Sequence, residues 1–100
     1  MNTMDYIIDT LKTLVNIPSP SGYTKKIMDF VKCEAERFGY DCRFNNKGGL
    51  VISVKGKENR TLGLSAHVDT LGAMVRSITS DGKLKLTPVG GFTMQSVEGS

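Results

Sequence analysis

Residues 24–44 read TKKIMDFVKCEAERFGYDCRF, and a change of apolar period inside this stretch decides the fold class. Up to Phe38, apolar side chains recur at the spacing of one helical face. Gly39 follows, and glycine is the residue type that most often ends a helix in a left-handed conformation. From Tyr40 onward, apolar and polar residues alternate, which is typical of a half-buried strand. The stretch therefore predicts a helix over residues 24–38 and a strand directly after it.

A second amphipathic helix is predicted upstream, over residues 5–15, where apolar side chains again follow helical spacing. Its N-cap oxygen is expected to come from Thr3 or Asp5. Pro18 disfavours helical geometry in the residue before it, so the helix ends there and residues 18–22 form a turn. Three hydroxyl side chains in or beside this turn are candidate caps for the helix that follows: Ser19, Ser21 and Thr24.

Downstream of the first strand, the pattern is one of short strands separated by turns. A strand over residues 50–54 is expected beside the first one, with antiparallel pairing as one option. Alternating apolar residues predict a third strand over residues 61–68. The Asp81-Gly82 pair is a strong hairpin signal between two further strands, over residues 72–78 and 83–87. Two helices followed by about five strands leave one sheet face uncovered, so we expect the N-terminal part of a larger protein.

Composition and charge argue against a disordered, nucleic-acid-binding or membrane-spanning protein. The chain has 100 residues, of which 39% are hydrophobic and 23% charged, enough for one small folded domain rather than a disordered segment. The net charge of +3 is dispersed, without the concentrated basic patch that nucleic-acid binding requires. No apolar stretch approaches the length of a membrane span. The N-terminus lacks the basic start of a secretory signal, so we expect a cytoplasmic protein.

The residues best suited to chemistry lie in the segment Ser65-Ala66-His67-Val68-Asp69-Thr70. His67 is the sole histidine, and Asp69 lies two residues further on, so both side chains should project from one face at the end of a strand. Neutral imidazole is the commonest metal-binding side chain, and a neighbouring carboxylate can take its second N–H. The pattern alone leaves a structural alternative open, in which His67 is a satisfied core histidine and Asp69 caps a turn.

Four segments, in order, resemble the glutamyl aminopeptidase family of dinuclear metallopeptidases. This family includes the tetrahedral aminopeptidases and proteins once labelled endoglucanase M. The order of the four segments is more specific than any one of them. They are LxxLVxIPSPSGY at residues 11–23, NKGGL at 46–50, SAHVDTLG at 65–72, and DGKL at 81–84 followed by PVGGF at 88–92.

The resemblance implies a fold class and a function for the complete protein. Residues 1–76 would be the N-terminal part of a three-layer α/β/α zinc-peptidase sandwich, and residues 77–100 would begin an inserted β-rich domain of PDZ-like or β-barrel type. The complete protein would be a cytoplasmic, metal-dependent aminopeptidase that removes N-terminal residues from short peptides. It would also self-associate into a large homo-oligomer through the inserted domain, with neither nucleic acid nor membrane as a partner.

For the site, the resemblance implies His67 as a metal ligand and Asp69 as the catalytic residue that orients it. The centre would hold two divalent ions, Zn²⁺ or Co²⁺. The family's other ligands and its glutamate general base would lie beyond Ser100, so residues 1–100 by themselves are expected to be inactive. Two other readings stay open: a related dinuclear metal deacylase or amidase, which shares the His-x-Asp strand, and a non-enzymatic, peptide-binding α+β module.

Overall fold

Both predicted helices form in the computed structural model, which describes residues 2–98. Helix α1 spans Thr3–Val15 and helix α2 spans Lys25–Arg37, close to the predicted bounds. Each helix has an apolar face of the kind that the sequence spacing predicts. The outermost residues of the predicted domain ranges, residue 1 and residues 99–100, lie outside the described residues.

The N-cap of α1 differs from the expected one. Asn2 caps this helix, and its Oδ1 accepts a hydrogen bond from the backbone N–H of Asp5 at 2.8 Å. The expectation of Thr3 or Asp5 as the cap is wrong because the helix begins earlier than predicted. Both residues therefore lie inside its first turn, where Asp5 donates a backbone N–H to the cap instead of supplying the capping oxygen.

Helix α2 ends just before Gly39, as the sequence predicts. Gly39 adopts a φ of +82°, in the left-handed region. Its N–H donates to the carbonyl of Glu36 at 2.8 Å, and the next N–H, of Tyr40, donates to the carbonyl of Ala35 at 3.2 Å. These two bonds satisfy carbonyls that the helix itself leaves without partners. At the other end, Thr24 occupies the N-cap position but makes no side-chain capping bond.

Two antiparallel hairpins follow the helices, as the turn signals predict. Thr79 organises the second turn, since its Oγ1 accepts the backbone N–H of Lys83 at 2.9 Å. Gly82 in the same turn has a φ of +85°, which explains the Asp-Gly pair. A short 3-10 turn at Met94–Ser96 comes after the hairpins. The strands are β1 at Asp41–Phe44 paired with β2 at Leu50–Ser53, and β3 at Gly72–Ile78 paired with β4 at Leu84–Val89.

The strand predicted over residues 61–68 does not form in the described part of the chain. No strand between residues 2 and 98 pairs with this segment, and the nearest ladder contact is an isolated parallel bridge between Pro20 and Thr70. Leu62 and Leu64 are 85% and 91% exposed. Alternation predicts which face a strand would bury, but a strand exists only with a hydrogen-bonded neighbour. The predicted central strand is therefore wrong here, and residues 2–98 contain four strands instead of the expected five.

The buried core of the described residues is small and lies beneath α2. Helix α2 packs against β1 and β2, and Ile27 and Ala35 on its inner face are buried apolar side chains among those that the structure describes. An edge-to-face contact between the rings of Tyr6 and Phe38, 5.6 Å between centroids, joins α1 to the end of α2. Together with the two small sheets, this arrangement is an α/β fragment. Within residues 2–98, no helix combines the length and apolarity needed to cross a bilayer.

Candidate active site

The segment that contains His67 and Asp69 is held by the turn over residues 18–22. The backbone N–H of Thr70 donates to the carbonyl of Ser19 at 2.8 Å, which forms part of the parallel bridge. The hydroxyl of Ser19 donates in turn to the carbonyl of Val68 at 3.1 Å, and Ser19 is only 1% exposed. One residue of the turn therefore fixes the backbone on both sides of Asp69. This contact defines where the candidate site lies, even without a central strand.

The carboxylate of Asp69 contacts two side chains, one at each oxygen. Its Oδ1 lies 2.8 Å from Nδ1 of His67, and its Oδ2 accepts a hydrogen bond from the hydroxyl of Ser21 at 2.7 Å. The Ser21 hydrogen bond, followed by that of His67, holds the pKa of the Asp69 carboxyl below its ordinary value of 3.8. Asp69 is therefore ionised at neutral pH and acts as an acceptor at both oxygens.

The ionised carboxylate determines which nitrogen of His67 carries the proton. Because a carboxylate can only accept, Nδ1 must donate to it, and in the neutral ring Nε2 is then the nitrogen with a free lone pair. The His67 side chain is 85% exposed, whereas that of Asp69 is 41% exposed. The imidazole therefore presents a potential metal-ligating nitrogen outward. The hydrogen bond to Asp69 determines its tautomer and the orientation of the ring.

The structure brings together the two residues that the sequence singles out. His67 and Asp69 project to one side and contact each other, as their spacing predicts, whereas their roles as metal ligand and catalytic residue remain predictions. Of the three candidate caps for α2, Ser19 and Ser21 do not cap it, because their hydroxyls donate to residues 68 and 69 instead. Their place in the site is a finding of the structure. No local signal in the sequence connects positions separated by 48 and 49 residues.

The donor set fits one ligand position of a metal centre. Nε2 of His67 has the chemistry and exposure of a zinc or cobalt ligand, and Asp69 provides the carboxylate that commonly accepts the other ring N–H of such a ligand. Residues 2–98 contain no group of three or more His, Cys, Asp or Glu side chains that could hold a metal ion. A catalytic zinc needs about three protein ligands. The described residues thus fit a contribution to a metal centre and do not complete one.

A cavity of about 840 Å³ opens beside the pair, between α2 and the segment over residues 62–69. Apolar side chains from both sides face it, among them Val31 of α2, Ile52 of β2, and Leu64 and Val68 of the segment. Protein interiors are normally close-packed, so apolar faces on two sides of such a space are faces of an unfilled core. His67 and Asp69 are themselves among the residues that line this cavity.

Comparison with known proteins shows the family to which the chain belongs. The model of the M42 glutamyl aminopeptidase family matches residues 48–100, which include the His67–Asp69 pair and both strands of the second hairpin. The chain therefore belongs to the M42 glutamyl aminopeptidase family, as its four sequence motifs indicate.

Individual relatives match over most of this chain and a small part of their own length. YhfE of Bacillus subtilis, named as a candidate aminopeptidase, is 39% identical over 100 residues, which is 99% of this chain and 29% of that protein. The glutamyl aminopeptidase of Lactococcus lactis is 33% identical over 95 residues, 93% of this chain and 27% of its own. A candidate LysW-lysine/LysW-ornithine hydrolase of Pyrococcus abyssi is 39% identical over 67 residues, 67% of this chain and 20% of its own. The chain thus spans less than a third of each relative.

Proposed function

We propose that the full protein containing this chain is a metal-dependent aminopeptidase that removes N-terminal residues from short peptides in the cytoplasm. The observation that carries the proposal is the His67–Asp69 contact of 2.8 Å, with the free imidazole nitrogen directed outward. Family membership and the names of the Bacillus and Lactococcus relatives support the reaction class. Residues 1–100 by themselves supply one ligand and are expected to be inactive.

Each residue of the pair has a separate task in this proposal. His67 would hold one of two divalent ions, Zn²⁺ or Co²⁺, through Nε2, and Asp69 would keep Nδ1 protonated and the ring in place. Such ions supply Lewis-acid polarisation of a carbonyl oxygen and lower the pKa of water. The remaining ligands and the general base would come from other parts of the full protein.

The domain assignment and the assembly belong to the same proposal. Residues 1–76 would contribute to the catalytic domain, and residues 77–100 would begin a β-rich domain through which the full protein forms a large homo-oligomer. The β3–β4 hairpin supports this, because it carries several exposed apolar side chains of the kind that interfaces cover. Those more than half exposed are Met74, Ile78 and Leu84.

The Pyrococcus relative favours a second candidate function of related chemistry. That protein is named as a hydrolase of LysW-lysine and LysW-ornithine, and its match with this chain reaches 39% identity. A deacylase or amidase of this kind would use the same histidine and carboxylate on a different amide. The two candidates differ in whether the substrate needs a free α-amino group.

The experiment is an assay of the full protein, loaded with Zn²⁺ or Co²⁺, on matched substrates. Short peptides with a free N-terminus are compared with the same peptides acetylated at the N-terminus, and with amino acids acylated at either amino group. Release of the N-terminal residue from free peptides alone is expected. Cleavage restricted to acylated amino acids would replace the aminopeptidase with the deacylase, and no amide hydrolysis on either set would overturn both.

A further inference from the structure

The hydroxyl of Ser21 reaches Asp69 across 48 residues of sequence. Its Oγ lies 2.7 Å from Oδ2, the carboxylate oxygen that His67 does not use. Within the described residues, the Ser21 hydroxyl neither caps α2 nor donates a hydrogen bond to a backbone carbonyl. The bond is therefore directed at the candidate metal site and not at local secondary structure.

From this contact we infer that Ser21 is a positioning residue for the metal-ligating pair, an inference that rests on the proposed function. The terminal torsion of an aspartate is broad, so one hydrogen bond to His67 leaves the carboxylate free to rotate. A second bond at Oδ2 fixes the plane of the carboxylate. The ring of His67 then keeps one orientation and one tautomer before any metal arrives.

The turn that carries Ser21 is held by backbone hydrogen bonds, which limit where its hydroxyl can lie. The N–H of Tyr23 donates to the carbonyl of Pro20 at 2.8 Å, closing the turn around Ser21. Gly22 has a φ of +88°, a conformation that other residues adopt only with strain. Pro20 also pairs with Thr70 in the parallel bridge. Hydrogen bonds therefore hold the backbone of the turn and that of the segment beside Asp69, so the hydroxyl and the carboxylate are both well placed, as a binding site requires.

Ser19 and Ser21 contact different parts of the segment: Ser19 bonds its backbone, and Ser21 bonds the side chain of Asp69. Ser19 is buried and bonds the carbonyl of Val68, so it determines where the segment runs. Ser21 is exposed and bonds only the carboxylate, so its loss removes a constraint without leaving a buried group unsatisfied. Substitution of Ser19 should therefore clearly lower stability, whereas substitution of Ser21 should lower metal affinity with a much smaller loss of stability, because its bond is exposed to solvent.

The test uses the full protein, stripped of metal and titrated with Zn²⁺ against a chromogenic chelator. Ser21→Ala is expected to weaken Zn²⁺ binding on the order of 10-fold. This is the low end of the loss in metal affinity seen when residues that orient a metal ligand are replaced. Its melting temperature without metal should fall much less than that of Ser19→Ala. Ser21→Thr, which keeps the hydroxyl, should restore affinity. Ser53→Ala, at an exposed serine at the end of β2, is the matched control and should change neither quantity.

A double-mutant cycle separates positioning through Asp69 from an independent effect. Ser21→Ala added to Asp69→Asn should weaken Zn²⁺ binding no further than Asp69→Asn does alone, because both changes remove the same constraint. Unchanged affinity in Ser21→Ala, additive losses in the double variant, or a loss of metal-free stability like that of Ser19→Ala would each overturn the inference.

The His67→Ala variant distinguishes failure of this inference from failure of the proposed function. If His67→Ala loses Zn²⁺ and Ser21→Ala retains full affinity, only the role of Ser21 is wrong. If His67→Ala retains full affinity as well, His67 is not a ligand, and both the metal assignment and the role of Ser21 are overturned.

Discussion

Asp69 connects the two halves of the candidate site because both of its carboxylate oxygens are engaged. One oxygen contacts the imidazole of His67, and the other accepts the hydroxyl of Ser21. The first contact could be predicted from sequence, since residues two apart in extended chain face the same side. The second could not, because it depends on how a distant turn meets this segment.

At the residue scale, we predict that the two members of the pair fail in different ways. In the full protein, His67→Ala should abolish binding of one Zn²⁺ or Co²⁺ ion and stop release of N-terminal residues, because it removes the ligand itself. Asp69→Asn should retain the ion and bind it roughly 10–100-fold more weakly, because it removes only what orients the ligand. Metal analysis after dialysis and chelator competition measure both effects. Equal metal content in the wild type and His67→Ala would refute the ligand assignment.

The helices and hairpins are determined by signals that act over a few residues. Periodic apolar side chains predict α1 and α2, and glycines with positive φ occur where turns or helix ends require them. The misassigned N-cap of α1 shows the limit of such signals, because Asn2 and Thr3 are both good capping residues and the choice depends on where the first turn begins.

Gly39 allows a quantitative prediction for the end of α2. A Cβ at this position would meet no other atom within 4 Å, so the only cost of Gly39→Ala is the left-handed backbone at a φ of +82°. That cost is about 1–2 kcal/mol of unfolding free energy. Gly56→Ala is the control, since a Cβ there also meets open space and the φ is not positive. Urea denaturation of both variants of the full protein measures the difference, and equal midpoints would contradict the prediction.

The turn of the second hairpin should make β3 and β4 sensitive to acid. The hydroxyl of Thr79 donates to the carboxylate of Asp81, and this bond is the main reason why the pKa of Asp81 lies below its ordinary value of 3.8. A depressed folded-state pKa means that the contribution of the bond is complete above pH 3.8 and is lost as the pH falls through the lower folded-state value.

Asp81→Asn provides the measurement for this acid sensitivity. The wild type should melt at a higher temperature than Asp81→Asn at neutral pH, and the difference should shrink once the pH falls below 3.8. The effect is expected to be small because the carboxylate is exposed to solvent. A difference in melting temperature that stays constant over this pH range would show that the charge of Asp81 does not contribute.

At the scale of the whole molecule, the described residues enclose only the small core beneath α2. Their radius of gyration is 17.9 Å, and they extend over 63 × 34 × 21 Å. A compact domain of this length has a radius of gyration of about 13 Å. Large apolar side chains such as Leu62, Leu64 and Ile78 are exposed. The segment over residues 61–68 and the β3–β4 hairpin therefore need further partners, whether from the same protein or from other copies of it.

We predict that residues 1–100, expressed alone, associate in solution. Exposed apolar faces and unpaired strand edges both favour association, and the buried core beneath α2 is too small to offset them. Sedimentation velocity and amide hydrogen exchange, compared with the full protein, test this. Aggregation or weak protection across residues 61–68 is expected. A monodisperse 10.9 kDa monomer with strongly protected amides in that segment would contradict the prediction.

The sequence by itself determined the two helices, the two hairpins and the adjacency of the site residues. Two helices, two hairpins and the shared side of His67 and Asp69 all depend on interactions between residues close in the chain, which periodicity and turn chemistry report. The tertiary structure decided the rest. It left residues 61–68 without a strand partner among the described residues, and it brought the turn with Ser19 and Ser21 onto residues 68–70. Such contacts join segments nearly 50 residues apart, and no local propensity encodes which distant segment will lie beside them.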